Sequence, residues 1–163
     1  MLFDDQALFD DQAQQVHLEG RISVATTTDP IKELLDKNDI ANLVADIGRF
    51  IDSKQFDDLS HVYSVDARLK TPDGVTTGVD AIIQTAQRNH EMFERTQHLV
   101  AGVSIDLQVD EAVVDANIVA IFVPAAAVPQ DNRIIGIHYA FDALRTADGW
   151  RFTRMSITPV WTR

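Results

Sequence analysis

The chain has 163 residues, 45% of them apolar, no cysteine, and 25 acidic against 14 basic side chains for a formal net charge of −11. One domain of this size hides roughly 70% of its unfolded surface, enough for a core with an internal pocket, and lack of cysteine excludes disulfides, thiolate metal sites and a cysteine nucleophile. The acidity argues against nucleic acid or an anionic membrane as partner, no apolar run reaches the roughly 20 residues of a membrane span, and the start lacks the basic charge of a signal peptide. The expectation is a cytoplasmic protein with a small-molecule partner.

Residues 2–7 read LFDDQA and residues 8–13 repeat it, so that residues 1–28 carry a net charge of −4 and leave −7 for residues 29–163. Two copies are too few for a repeat fold. They read as an N-terminal arm or a cloning remnant, or as an arm that docks Leu2, Phe3, Leu8 and Phe9 onto a neighbouring subunit. A single domain is expected over 29–163.

Asp29-Pro30 is a helix-start signal, giving a short helix to about Asp36, after which Asn38 or Asp39 caps a second. In that second helix Ile40, Leu43, Val44, Ile47 and Ile51 recur at helical spacing. A third helix is expected over Phe56–Tyr63, then a strand over Asp66–Lys70 ending in the turn Thr71-Pro72-Asp73-Gly74, then a fourth helix over Val79–Arg95. Four β-branched, alternating segments follow: Gln97–Val109, Ala112–Val128, Arg133–Thr146 and Trp150–Trp161, with turn signals at Val109-Asp110-Glu111 and Asp148-Gly149. Helices first and an antiparallel meander after them make an α+β chain. The natural architecture is a cone, a curved antiparallel sheet packed on N-terminal helices around an internal pocket, with both sheet faces covered.

No Gly-rich phosphate loop, His-Glu-x-x-His or Gly-x-Ser-x-Gly is present, and no two histidines stand at close metal-ligand spacing, so neither cofactor nor metal is expected. Two residues stand out. Asp52 falls in the last helical turn, where its charge opposes the helix dipole at a cost of ~0.3 to 1 kcal/mol; it is a solvated surface acid or a functional one. His98 alternates with Leu99, Ala101, Val103, Ile105 and Leu107, sharing the other strand face with Val100, Gly102 and Ser104. It is a hydrogen-bonded core residue or projects into a cavity left by those small neighbours. His138 similarly shares a face with Gly136 and Ala140, whereas His17, His61 and His90 read as structural or solvated.

The strings Ile51-Asp52-Ser53-Lys54-Gln55-Phe56-Asp57-Asp58-Leu59, Arg95-Thr96-Gln97-His98-Leu99-Val100-Ala101-Gly102 and Asp148-Gly149-Trp150-Arg151-Phe152 resemble the SnoaL-like branch of the nuclear transport factor 2 superfamily, close to scytalone dehydratase. The resemblance spans about residues 30–163. It implies that Asp52 holds the His98 imidazole at a pocket floor, the pair that related dehydrochlorinases and bile-acid dehydratases use. Chemically, a carboxylate on one ring nitrogen fixes the tautomer and stabilises the cation, leaving the other nitrogen to take a proton.

Departures from the pattern matter. Ile118–Ala126 lacks the second pocket histidine of scytalone dehydratase, and Ile51 stands where that enzyme has tyrosine, which argues against scytalone as substrate. Ile51, Val123 and Ala125 imply a more apolar pocket, with Val100 beside His98, His138 as a compensating polar group, and Tyr63 and Trp161 as lining or plain core residues. The resulting expectation is a cofactor-free lyase or isomerase acting on a small, largely apolar cyclic molecule, with Asp52 and His98 as catalytic residues. The alternatives are a non-catalytic ligand-binding or assembly module resembling a dioxygenase small subunit, and a polyketide cyclase or hydrolase in which Asp52 acts alone. The resemblance further implies a homo-oligomer, dimer or trimer, joined through the outer sheet face.

Overall fold

The computed structural model describes residues 29–125 and 127–163, so the expectations for the N-terminal arm lie outside the described residues. Helix α1 runs unbroken over Pro30–Asp52. Asp29 caps it through a side-chain oxygen that accepts from the Ile31 N–H at 3.0 Å, with Pro30 in the first turn as expected. The expected break at Asn38-Asp39 does not occur. Neither residue turns back to cap, and the ion pairs Lys32–Asp36 at 2.9 Å and Lys37–Glu33 at 2.6 Å carry the helix through that point. Of the expected stripe Ile40, Val44, Ile47 and Ile51 are buried, joined by Phe50, while Leu43 is half-buried at its edge.

α1 ends in a Schellman motif: the Gln55 N–H donates to Phe50 O at 2.8 Å and the Lys54 N–H to Ile51 O at 3.1 Å. Lys54 occupies the left-handed position at φ 60° where glycine is usual. A 3₁₀ turn over Phe56–His61 buries Phe56 and Leu59 and delivers the chain to β1, Tyr63–Thr71. The expected turn at Thr71–Gly74 folds β1 back onto a short strand not expected from the sequence, β2, Gly74–Thr77. Helix α2, Val79–His90, stops five residues short of the expectation, and β3 already begins at Arg95.

The remaining strands are β4 (Glu111–Val123), β5 (Arg133–Thr146) and β6 (Gly149–Thr162), with β4 ended by Pro124 rather than running to Val128. Strand order is β2-β1-β6-β5-β4-β3. β3 to β6 form the expected antiparallel meander, but β1 joins β6 in parallel, which makes the sheet mixed. Register shifts between Ala101 and Ser104 in β3 and at two places in the β5–β6 pair bend the sheet around α1.

The first shift also corrects the reading of β3. Gly102, at φ 61°, inserts a bulge that changes the phase of alternation, so Thr96, His98 and Val100 turn inward before it but Ile105 and Leu107 after it. Ala112, Val114, Ala116, Ile118 and Ala120 of β4 and Ile137, Tyr139, Phe141 and Ala143 of β5 complete the inner face. The described residues do not cover the outer face: Leu99, Val103, Val113 and Trp161 stay exposed among them. Among the described residues no helix is long and apolar enough to cross a membrane.

Far from the bulge, Asp36 ties α1 to the β5–β6 hairpin. Arg145 grips it with two bonds of 2.8 and 2.5 Å, the Trp150 indole N–H adds a third at 3.2 Å and Lys32 a fourth at 2.9 Å. The Arg145 guanidinium, stacked over the Trp150 ring, holds the Asp36 carboxyl well below the usual range.

Candidate active site

The last residue of α1 and the start of β3 meet where neither could be placed by periodicity. Asp52 Oδ2 accepts the backbone N–H of His98 at 2.8 Å, while Oδ1 accepts the His98 Nδ1–H at 2.7 Å and the Thr96 hydroxyl at 2.9 Å. One carboxylate thus replaces a missing strand neighbour and fixes a ring. Gly48, one turn earlier, makes the approach feasible: a Cβ there would sit 2.9 Å from His98 Cβ. Burial works to raise the Asp52 pKa, but the bonds from His98 and Thr96 and the His98 charge outweigh it, and the net shift is downward. The carboxylate therefore persists in the folded protein. Because a carboxylate only accepts, Nδ1 of His98 carries a proton, and whenever the ring is neutral Nε2 bears the lone pair.

His98, its side chain only 3% exposed, is in the wall of a cavity of about 710 Å³ between the inner sheet face, α1 and α2. Ile47 and Ile51 of α1, Ile82 of α2, Phe122 of β4 and Ile135 and Ile137 of β5 give it an apolar lining. Tyr63 and Tyr139 add hydroxyls whose pKa burial pushes up, so both stay neutral; that of Tyr63 donates to Met155 Sδ at 2.9 Å. Among the described residues no three His, Asp or Glu side chains converge to hold a metal ion.

Residues 32–156 match the family of SnoaL-like domains. The chain belongs to that family. The SnoaL-like chain is 27% identical over 128 residues to an uncharacterized protein of Mycobacterium tuberculosis (strain ATCC 25618 / H37Rv), an alignment covering 76% of this chain and 85% of the relative. Among solved structures it is similar to a provisional scytalone dehydratase of Novosphingobium aromaticivorans, with TM-score 0.74, 21% identity and coverage of 82% of this chain and 89% of that one. It is also similar to the hexachlorocyclohexane dehydrochlorinase LinA-type3 of Novosphingobium barchaimii, with TM-score 0.72, 13% identity and coverage of 83% and 93%. At these identities the structures establish the fold, which is nuclear transport factor 2-like and cystatin-like.

Of the residues expected at the site, His98, Tyr63 and Ile51 line the SnoaL-like cavity, and Asp52 stands behind His98, tied to it by its carboxylate. Five others do not line it. His138 alternates with the inward Ile137 and Tyr139, so it faces outward and pairs with Asp115 at 3.1 Å; the face it shares with Gly136 and Ala140 is the outer one. Trp161 pairs with Gly136 on that same face, so close that a Cβ on Gly136 would meet the indole at 2.2 Å. Val123 follows the inward Phe122 and Ala125 lies beyond Pro124, while Val100 packs against the core instead of the cavity.

His90, read as structural or solvated, is in the cavity wall instead. Its ring stacks on Phe122 at 5.7 Å between centroids and tilts against His98 at 5.8 Å. The signal was present in the sequence, since Ile82, Ala86 and His90 recur four residues apart along one face of α2. Lys54 fixes this end of α2 by donating from Nζ to His90 O at 2.7 Å and Phe93 O at 2.8 Å.

Proposed function

We propose that this cavity is the active site of a cofactor-free lyase or isomerase, with His98 as general base and Asp52 as the residue that orients it. The observation that carries this reading is the 2.7 Å contact between Asp52 Oδ1 and His98 Nδ1 at the wall of an otherwise apolar cavity. His98 Nε2 takes a proton from carbon, the C–H electron pair becomes the new double bond, and the bond to a leaving group on the neighbouring carbon breaks; in an isomerisation the proton is returned at another carbon. A positioned base contributes about 10²- to 10⁴-fold, and the apolar walls supply orientation. The substrate class is a small, largely apolar cyclic molecule. Two fold relatives bear names that denote loss of water and of hydrogen chloride, both eliminations of this kind. Asp52 acting alone on water fits less well, since both its oxygens are already engaged by His98 and Thr96.

The exposed apolar outer face, with Leu99, Val103, Val113 and Trp161, supports a second reading, a binding or assembly module, and is the face through which a homo-oligomer would pair. Deuterium exchange separates catalysis from docking. With 3-hydroxycyclohexanone and related cyclic β-hydroxy ketones in D₂O, the parent protein is expected to exchange or eliminate at the carbon next to the carbonyl and Asp52→Asn to lose most of that rate. Intact turnover in Asp52→Asn would sink the dyad; tolerance of His98→Ala would favour Asp52 acting alone.

A further inference from the structure

His90 has no part in the dyad, yet its chemistry is constrained by what it touches. Its Nδ1 lies 2.7 Å from Ala86 O. A carbonyl oxygen only accepts, so Nδ1 must hold the proton, and Nε2 of the neutral ring is left with a lone pair that has no hydrogen-bond partner among the described residues. The ring is positioned by its Nδ1 bond to Ala86 O and by Phe122 stacked on one face. Burial lowers the His90 pKa, and His98 and Lys54 lower it further against the opposing pull of the Ala86 carbonyl and Asp52, so the lone pair is available at neutral pH.

A hydrocarbon ligand that displaced solvent from Nε2 would leave this acceptor unsatisfied at a cost in binding. We propose that His90 is a specificity-determining contact whose Nε2 accepts a hydrogen bond from a hydroxyl of the bound molecule, which narrows the substrate class to hydroxylated apolar rings. This rests on the cavity being the substrate site, as proposed above. It also says which hydroxyl is meant. An acceptor does nothing to help oxygen leave carbon, whereas departure needs a donor, so the hydroxyl held by His90 is one that the product keeps.

The test compares phenol with toluene, two rings of nearly equal size that differ in the donor. On the full chain, ring-nitrogen NMR is expected to show phenol moving the His90 Nε2 resonance, with phenol bound more tightly than toluene although it is the less apolar of the two. In His90→Phe, which keeps the stack on Phe122, the phenol Kd should rise about tenfold, the equivalent of one lost hydrogen bond, while that of toluene changes little. Failure of phenol to bind at millimolar concentration, a phenol shift confined to His98, or an unchanged phenol preference in His90→Phe would each overturn the assignment. The ring-nitrogen measurement on the parent protein decides even if His90→Phe does not fold. Asp52→Asn separates the two proposals. It should abolish exchange and leave the phenol preference in place; exchange that survives Asp52→Asn, with the phenol preference intact, removes the dyad and not His90.

Discussion

Two carboxylates on α1 are held in similar ways and end in different chemistry. Asp36, near the start of the helix, is met by a bidentate Arg145, by Lys32 and by the Trp150 N–H, all groups that keep their protons across the physiological range. Asp52, at the end, is met by a histidine, a backbone N–H and a hydroxyl, and the histidine opens on a cavity. Both have lowered pKa values. The lesson is that a depressed carboxylate marks good partners, and only the titratable nature and outlook of those partners separate a staple from a reactive pair.

That contrast can be broken most directly at Asp52. Asp52→Asn should lower proton abstraction about 10²- to 10⁴-fold with a much smaller change in Tm, read by exchange kinetics beside thermal unfolding. Asp36→Ala should do the reverse. It leaves the Trp150 N–H without its acceptor and Arg145 with Asp110 as its remaining carboxylate, and is expected to cost about 3 kcal/mol of stability in urea unfolding, with the per-molecule rate of the folded fraction preserved.

Gly48→Ala sharpens the comparison from the helix side. The new methyl would lie 2.9 Å from His98 Cβ, so α1 and β3 must part at the dyad while the Asp36 end stays put. The expected stability cost is about 1–3 kcal/mol, with a changed His98 ring-nitrogen spectrum and an unchanged Trp150 indole resonance.

The smallest effect is in pH. Asp36 and Asp52 titrate below their ordinary 3.8 in the folded state, so their contribution is complete above that value and is lost as pH falls through the folded values. His90, facing His98, Lys54 and Asp52, titrates below its ordinary 6.5 when folded. The unfolded chain then takes up that proton first, and stability declines already as pH drops beneath 6.5. A stability–pH curve should show a shallow shoulder beginning there, absent in His90→Phe, ahead of the steep carboxylate limb that Asp36→Ala reduces.

The strands were legible because β-branched alternation is a local property, and so was the buried stripe of α1. What periodicity cannot supply is which face is inner. His138 and Tyr139 are neighbours on one strand, and only the curl of the sheet decides that Tyr139 meets the cavity and His138 the outside. The parallel β1–β6 pair joins segments more than eighty residues apart and has no local signal. Asn38 and Asp39 read as caps because their residue types favour it, and Asp36, engaged by residues 109 and 114 positions later, kept the helix continuous instead. Asp52 and His98 were reached through the resemblance, not the pattern, since their pairing spans 46 positions.

Lys54 has a mechanical consequence. Its backbone closes α1 and its ammonium closes α2, so two helix ends terminate on one residue that sits two positions after Asp52. Asp52 and His90 are therefore tied through one residue, which sets the spacing between the helix ends that carry them. The opposite wall, formed by the Pro72-Asp73 turn and the ends of β5 and β6, lies outside the reach of this tie.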